Sequence, residues 1–190
     1  MKIIEHKVKV FGTDCILKLM DFDKTDQKQW KILFDSWKKL KMGLKKFESR
    51  EPNLPEGLSE VAFCIYSGSK RFLEVQKGQI SASFDTYNLK TGKAEQIKAT
   101  SVEEDLTSFG PASIWDDLYF LDFFNNGKLD GAFDVYKIPN NLIYSAKVNK
   151  NQTLKQQQKQ KRRPRFSIKK KIVNEFQVKP IERNIKVWEI

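Results

Sequence analysis

The sequence predicts a fold of the mixed α/β class, in which helices and β-strands both contribute to the core. Apolar residues recur at helical spacing between residues 26 and 47, and again between residues 55 and 66. Residues 71–100 alternate between apolar and polar side chains, which is typical of an antiparallel meander. Apolar runs at residues 118–124 and 131–138 indicate two further strands.

The length of 190 residues favours one domain that buries a real hydrophobic core. Apolar residues make up 39% of the chain and aromatic residues 12%, and this composition argues against disorder. We expect residues 1–190 to form a single domain with an N-terminal helical segment at about residues 1–50. A basic loop at about residues 150–171 belongs to the same domain, because an apolar pattern resumes after it.

The N-terminal segment combines an extended part with a long helix. Residues 3–20 alternate loosely around Gly12 and indicate a short hairpin or an extended arm. The helix at about residues 26–47 is expected to be capped by Thr25 or Asp26. Its expected apolar stripe comprises Trp30, Leu33, Phe34, Trp37, Leu40, Leu44 and Phe47. Its lysine-rich face is either solvated or turned towards phosphate groups.

The second helix is expected to open at Pro55 or Glu56 and to run through Tyr66, where Ser67-Gly68-Ser69 ends it. Glu56 and Glu60 lie one turn apart on this helix, away from its apolar stripe. Either both are surface carboxylates, or Glu60 points into a metal site. The residues themselves leave these two alternatives open.

Residues 80–100 are interpreted as two strands joined by a turn at residues 90–93. Because side chains alternate along a strand, Asp85 lies on one face of the first strand, and Gln96 and Lys98 share a face of the second. The strand pair can bring these three side chains to one edge of a sheet. A carboxylate, a second oxygen ligand and an ammonium group are what metal-assisted cleavage of a phosphodiester needs.

Two other acid–lysine pairs are Glu74 with Lys77 and Asp134 with Lys137. Residues three apart in a strand face opposite sides of it. We therefore expect both pairs to be structural.

The formal net charge of +11 points to a polyanionic partner, and nucleic acid is favoured over a membrane. The chain lacks an apolar run of about 18 residues, so no transmembrane helix is expected. Its start also lacks the apolar segment of a signal peptide. The two cysteines, Cys15 and Cys64, fit a reducing cytoplasm. The single histidine, His6, argues against histidine-dependent nucleophilic catalysis and against a cysteine–histidine metal site.

The basic loop contains no acidic residue between residues 150 and 171. One interpretation is a disordered basic tail. The return to apolar residues favours an internal loop instead, in which Ser167 caps a segment that turns Ile168, Ile172, Val173 and Phe176 inward. Arginine suits bidentate contact with guanine, and lysine near a helix start suits phosphate. The expected nucleic-acid contacts are Arg162, Arg163, Arg165, Lys169 and Lys170.

Asp85, followed after ten residues by Gln96-Ile97-Lys98, resembles the PD-(D/E)XK nuclease signature. Further segments carry a more specific likeness: Asp105-Leu106-Thr107-Ser108-Phe109-Gly110-Pro111, Trp115-Asp116-Asp117-Leu118-Tyr119-Phe120, Phe133-Asp134-Val135-Tyr136-Lys137-Ile138-Pro139 and Arg162-Arg163-Pro164-Arg165-Phe166-Ser167-Ile168-Lys169-Lys170. This succession, over about residues 54–180, is similar to small type II restriction endonucleases that recognise GC, any base, GC.

The resemblance implies a restriction-endonuclease-like fold, with a central mixed β-sheet flanked by helices and a metal site at one edge of the sheet. It implies that Asp85 and Glu60 hold the metal and that Lys98 is the catalytic lysine. Gln96 departs from the pattern, which usually has Glu or Asp there, so its amide oxygen becomes the expected metal ligand. Glu95 should face the other way on a regular strand, although a β-bulge could exchange the two.

The resemblance further implies a Mg²⁺-dependent endonuclease that cuts double-stranded DNA at a short GC-rich palindrome. Such an enzyme acts as a homodimer, works in the cytoplasm as part of a restriction-modification system, and has a DNA methyltransferase as its functional partner. The alternative from another class is a non-catalytic basic protein that binds RNA or the ribosome. The charge alone fits both, and the set of Asp85, Gln96 and Lys98 favours the endonuclease.

Overall fold

A computed structural model describes residues 1–49, 51–80, 83–124 and 127–190. Its helices are α1 Lys24–Lys46, α2 Glu56–Ser67, α3 Asn140–Ser145 and α4 Leu154–Lys159, with a π-helical turn at Lys169–Asn174 and a 3-10 turn at Val187–Glu189. Its strands are β1 Lys2–Val10, β2 Thr13–Asp21, β3 Lys70–Lys77, β4 Thr86–Asn88, β5 Lys93–Thr100, β6 Thr107–Ser108, β7 Asp117–Asp122, β8 Phe133–Ile138, β9 Arg165–Phe166 and β10 Glu182–Ile185.

Eight of these strands form one sheet in the described residues, in the order β1-β2-β3-β4-β5-β7-β8-β10. Neighbouring strands are antiparallel except β5 and β7, which run parallel. Strands β6 and β9 pair separately as a short antiparallel ribbon. The mixed sheet and its flanking helices confirm the predicted fold class.

Helices cover both faces of the sheet, and each face has its own apolar core. Helices α1 and α2 pack on one face around Trp30, Phe34 and Phe63, together with Ile97 of β5. The segments after β8 pack on the other face around a second cluster, which includes Phe109, Phe120, Ile143, Leu154 and Phe166. Strand β5 therefore lies between two cores, and alternate residues of it serve different faces.

Helix α1 begins two to three residues earlier than its predicted caps imply. The carboxylate of Asp23 accepts hydrogen bonds from the backbone N–H of Thr25 (2.8 Å) and of Asp26 (3.3 Å), and that of Asp26 accepts one from the N–H of Asp23 (2.9 Å). This capping box makes Asp23 the cap, so the prediction of Thr25 or Asp26 is wrong. The preceding hairpin of β1 and β2 confirms the hairpin alternative for residues 3–20.

The apolar stripe of α1 is narrower than its sequence pattern. Trp30, Phe34 and Trp37 are buried, whereas Leu33, Leu40 and Phe47 are exposed, which corrects that part of the prediction. The buried face contains Lys41 instead, whose ammonium pairs with Glu51 at 2.6 Å. An ion pair thus completes the face that a stripe of apolar residues alone was expected to form. None of the described helices is both long and apolar enough to cross a membrane.

The predicted meander is present as β3, β4 and β5, but its middle strand is short. Strand β4 comprises Thr86–Asn88, although a strand from residue 80 was expected. Residues 81 and 82 of that prediction lie outside the described residues, as do Asn125 and Asn126 between the two predicted apolar strands. Strand β4 pairs with β5 only from Lys93 to Glu95. The rest of β5 therefore runs beyond its neighbour, and the sheet opens at this point.

The basic loop is more ordered than its composition indicated. It contains α4, whose cap Thr153 accepts a hydrogen bond from the N–H of Gln156, followed by β9 and the π-helical turn. Ser167 accepts a hydrogen bond from the N–H of Lys170 at 2.9 Å, as expected for a capping residue. Phe176, expected to point inward, is 51% exposed because the helical turn ends before it.

Candidate active site

Asp85 lies at the opening of the sheet, immediately before β4. Its backbone N–H donates to the carbonyl of Glu95 and its carbonyl accepts from the N–H of Phe72, so both neighbouring strands fix it. Its carboxylate accepts a hydrogen bond from the backbone N–H of Ile97 at 2.8 Å and another from the side-chain amide of Gln96. Two of the three residues expected to hold the metal, Asp85 and Gln96, are therefore in direct contact.

Gln96 and Lys98 lie on the same face of β5. In the parallel register, they stand opposite Leu118 and Phe120, which belong to the core on the face away from α1 and α2. The register is continuous from residue 95 to residue 100, with no bulge in this described stretch.

Glu95 faces the opposite side of β5. It is buried, and its carboxylate accepts a hydrogen bond from the hydroxyl of Thr86 at 2.9 Å. Burial raises the pKa of this carboxyl group. The position of Glu95 supports the expectation that Gln96, and not Glu95, faces Asp85.

The electrostatics at Asp85 favour a cation. Burial raises the pKa of its carboxyl group to about 6, Lys98 lowers it, and the negative charges of Glu60 and Glu56 raise it again. The buried carboxylate of Asp85 therefore feels one nearby ammonium group and the negative charges of two glutamates, of which Glu56 is exposed. A divalent cation placed there would stabilise the ionised form of these carboxylates.

The donor atoms in this corner fit a divalent metal ion. The side-chain oxygen Oε1 of Gln96 is buried and has no hydrogen-bond partner within the described part of the chain. Together with the carboxylate of Asp85, it supplies the oxygen ligands that hard cations prefer. Among the described residues, no group of three or more His, Cys, Asp or Glu side chains is arranged as a metal site. The carboxylate of Asp85 and the side-chain amide of Gln96, whose nitrogen donates to that carboxylate, are therefore the candidate groups for a metal ion here.

Glu60 lies near this corner but has another partner. Its carboxylate pairs with the guanidinium Nε of Arg71 on β3 at 2.6 Å. Arg71 could not be identified from the sequence, because no local pattern connects a strand residue with a helix residue. The role of Glu60 as a metal ligand stays a prediction. A metal ion would have to compete with Arg71 for the carboxylate of Glu60.

A cavity of about 550 Å³ adjoins Lys98. The ammonium Nζ of Lys98 lies 5.8 Å from the centroid of the Phe109 ring, a distance at which a cation and an aromatic face attract each other. The cavity is lined by residues from α2, β5, β6 and β9 and the chain around them, including Glu56, Ser59, Lys98, Thr107, Ser108 and Arg165. It is open enough for part of a large ligand to approach Lys98.

The residues expected to contact nucleic acid separate into two groups. Arg162, Arg163, Arg165 and Lys170 are exposed. Lys169 instead pairs with the buried carboxylate of Asp122 at 2.8 Å. The phosphate contact by Lys169 stays a prediction, and its ammonium pairs with a buried carboxylate in this structure.

The two other acid–lysine pairs have structural partners, as expected. Glu74 pairs with Lys18 at 2.8 Å, and Lys137 pairs with Asp117 at 2.9 Å. Asp134 is buried and accepts a hydrogen bond from the backbone N–H of Asn184. Glu74, Asp134 and Lys137 are therefore engaged in contacts away from Asp85.

A mixed sheet with a carboxylate, an amide and a lysine at its opening is the arrangement expected of an enzyme of the restriction endonuclease class. The family model described as "Bsp6I restriction endonuclease" matches residues 22–175. The "Type II restriction enzyme Bsp6I" of Bacillus sp. (strain RFL6) is 34% identical over 173 residues, which cover 88% of this chain and 94% of that protein. The chain belongs to the Bsp6I restriction endonuclease family and is a type II restriction endonuclease, a nuclease of the hydrolase class. No solved structure matches it.

Proposed function

We propose that this enzyme is a Mg²⁺-dependent member of the PD-(D/E)XK superfamily that cuts double-stranded DNA at GC, any base, GC. The observation that carries the proposal is the contact between Asp85 and Gln96 at the opening of the sheet, with Lys98 on the same face of β5. The buried Oε1 of Gln96 has no hydrogen-bond partner among the described residues, which supports a role for it as a metal ligand. Residues 1–190 act as one nuclease domain in this proposal.

Each of these residues has a distinct role in the reaction. Asp85 and the oxygen of Gln96, with Glu60 once Arg71 releases it, would hold Mg²⁺, which activates water and neutralises developing negative charge. Lys98 orients the attacking water and stabilises charge on the phosphorane-like transition state. The products are a 5′-phosphate and a 3′-hydroxyl.

The exposed basic residues would position the DNA. Arg162, Arg163 and Arg165 are candidates for contacts with guanine, and Lys170 for a phosphate contact. A palindromic site presents guanine on both strands, which suits two copies of the enzyme related by a twofold axis. We therefore propose a homodimer, with a DNA methyltransferase protecting the same sequence in the cell. The alternative of a non-catalytic RNA- or ribosome-binding protein leaves Asp85, Gln96 and Lys98 without a role.

The test is the incubation of supercoiled plasmid with the purified protein, with Mg²⁺ and with EDTA. Discrete linear fragments should form only with Mg²⁺, and sequencing of their ends should place every cut at GC, any base, GC. Asp85→Asn removes one charge from the site without changing its size and serves as the matched control, which should not cleave. Cleavage that persists in EDTA would exclude the metal-dependent mechanism, and ends at unrelated sequences would exclude the proposed site.

A further inference from the structure

One side of the cavity beside Lys98 is formed by the ribbon of β6 and β9, which contains none of the proposed catalytic residues. Strands β6 and β9 pair so that Thr107 stands opposite Phe166 and Ser108 opposite Arg165. Directly paired residues project to the same side of a ribbon, and successive residues alternate. Because Phe166 is buried in the core, Ser108 and Arg165 share the other side of the ribbon, and both line the cavity.

These two side chains have unused hydrogen-bonding capacity. The hydroxyl oxygen of Ser108 is buried and has no partner among the residues that the structure describes. The guanidinium of Arg165 is exposed and forms no ion pair or side-chain hydrogen bond within the same described ranges, although Glu56 and Glu104 line the same cavity. A hydroxyl and an arginine side by side bind an anion well, because the bonds of a charged donor are strong and directional.

A buried carboxylate holds the ribbon in place. Asp105 accepts hydrogen bonds from the hydroxyl of Thr107 at 3.0 Å, from the backbone N–H of Ile168 at 2.9 Å, and from the hydroxyl of Ser167. These bonds connect the start of β6 with the end of β9, which the sequence separates widely. The position of the ribbon is therefore set by three bonds to one buried side chain.

The ribbon is also fixed relative to the catalytic strand. The rings of Phe109 and Phe166 stack with their centroids 5.6 Å apart, and the ammonium of Lys98 lies over the Phe109 ring. A ligand bound by side chains of this ribbon would therefore lie at a constant distance from Lys98. Such a fixed geometry is what places a substrate accurately against a catalytic group.

We propose that Ser108 and Arg165 clamp a backbone phosphate of the DNA that neighbours the scissile phosphate. The inference deepens the proposed function and rests on it, since that function places the scissile phosphate at Lys98. The part of DNA that enters the cavity of a catalytic lysine is the sugar-phosphate backbone, whereas base edges lie in the grooves. Hydroxyl and guanidinium groups are common phosphate contacts, so Arg165 positions the substrate and the reading of guanine belongs to Arg162 or Arg163.

The test uses duplexes that contain a site cleaved by the wild-type enzyme, each with one neutral methylphosphonate linkage near the cut. Their affinities are measured in Ca²⁺ for the wild type, Arg165→Ala, Ser108→Ala and Arg162→Ala. A parallel duplex carries 7-deazaguanine, which lacks the N7 acceptor. Circular dichroism verifies that each variant is folded, and Arg165→Lys keeps the charge and should restore part of the affinity.

One neutral linkage beside the cut should weaken wild-type binding by about tenfold or more, the effect of losing a charge-assisted contact. Arg165→Ala and Ser108→Ala should bind unmodified DNA more weakly than the wild type, and the methylphosphonate linkage should reduce their affinity little further. Arg162→Ala should instead show the same loss of affinity at that linkage as the wild type. The proposal is overturned if Arg165→Ala also keeps the full loss of affinity at the methylphosphonate linkage. It is overturned as well if 7-deazaguanine weakens binding by the wild type but not by Arg165→Ala. If the wild type cleaves DNA but Arg165→Ala keeps the full methylphosphonate penalty, only this inference is excluded. If the wild type cleaves no DNA, the proposed function is excluded as well.

Discussion

Lys98 is the residue whose loss should separate chemistry from DNA binding. Its ammonium acts mainly in the transition state, so Lys98→Ala should reduce cleavage by about 10²-fold or more while affinity in Ca²⁺ stays nearly unchanged. Single-turnover cleavage and a binding titration on the same duplex measure the two effects. Lys90→Ala, at an exposed position in the turn before β5, is the matched control. Cleavage by Lys98→Ala at the wild-type rate would remove Lys98 from the mechanism.

Substitutions of Gln96 and of its neighbour Glu95 should change different properties, the Mg²⁺ requirement in one case and stability in the other. Gln96→Glu adds a charged ligand beside Asp85, so the variant should stay active and need less Mg²⁺. Glu95→Ala should cleave nearly normally per folded molecule, because Glu95 faces away from Asp85. It should lower the free energy of unfolding by about 1–3 kcal/mol, because the hydroxyl of Thr86 loses a buried partner.

The measurements are cleavage across a Mg²⁺ titration and unfolding in urea for both variants. An inactive but folded Glu95→Ala, together with an active Gln96→Ala, would mean that the register of β5 is shifted by one residue.

At the scale of the structural element, the turn that follows β9 offers two adjacent lysines with different roles. Lys169 neutralises Asp122, whose side chain is 3% exposed, whereas Lys170 is exposed. Lys169→Ala should therefore lower the free energy of unfolding by about 3 kcal/mol, since the buried carboxylate of Asp122 loses its counter-ion and keeps only the hydrogen bond from the N–H of Phe124. Lys170→Ala should leave stability within about 0.5 kcal/mol of the wild type.

The two variants should also differ in DNA binding. Lys170→Ala should weaken binding to cognate and random DNA alike and reduce the slope of log affinity against log salt by about one unit, the effect of one lost phosphate contact. Urea unfolding and binding titrations at several salt concentrations test the pair. Equal stability of the two variants would show that the ion pair of Lys169 contributes nothing to the fold.

The elements that the sequence predicts best are those with local boundary signals. The predicted second helix matches α2 because Pro55 precedes it and Gly68 ends it in the left-handed conformation, with φ +76°. Strand β5 follows from alternation alone, and this alternation also explains why Asp85, Gln96 and Lys98 could be assigned to one place. The short β4 could not be predicted, because its length depends on how its partners diverge.

The interactions that the sequence does not reveal are long-range ones. Glu60 with Arg71, Lys169 with Asp122, and Asp105 with Ser167 each join residues from separate elements. A lysine in a basic run has the same local pattern whether it faces solvent or a buried carboxylate. Only the packing of the π-helical turn against β7 distinguishes these cases, and it explains why Lys169 and Lys170 were first assigned the same role.

At the scale of the whole molecule, the charge and the position of the site favour two copies acting on one duplex. The net charge of +11 provides long-range attraction to DNA but cannot by itself cut both strands. The single opening beside β4 in the described part of the sheet supplies one set of Asp85, Gln96 and Lys98. If one such set cuts one strand, a double-strand break at a palindrome needs two subunits in opposite orientations.

This arrangement predicts the behaviour of mixed dimers. Wild-type and Lys98→Ala subunits, mixed and allowed to exchange, should convert supercoiled plasmid mainly to nicked circles, because each mixed dimer cuts only one strand. Excess Lys98→Ala should increase the ratio of nicked to linear product as the fraction of mixed dimers rises, and sedimentation measures whether the enzyme forms dimers. An enzyme that acts as a monomer would give the same ratio at every mixing proportion, since each active subunit would then cut independently of its inactive neighbours.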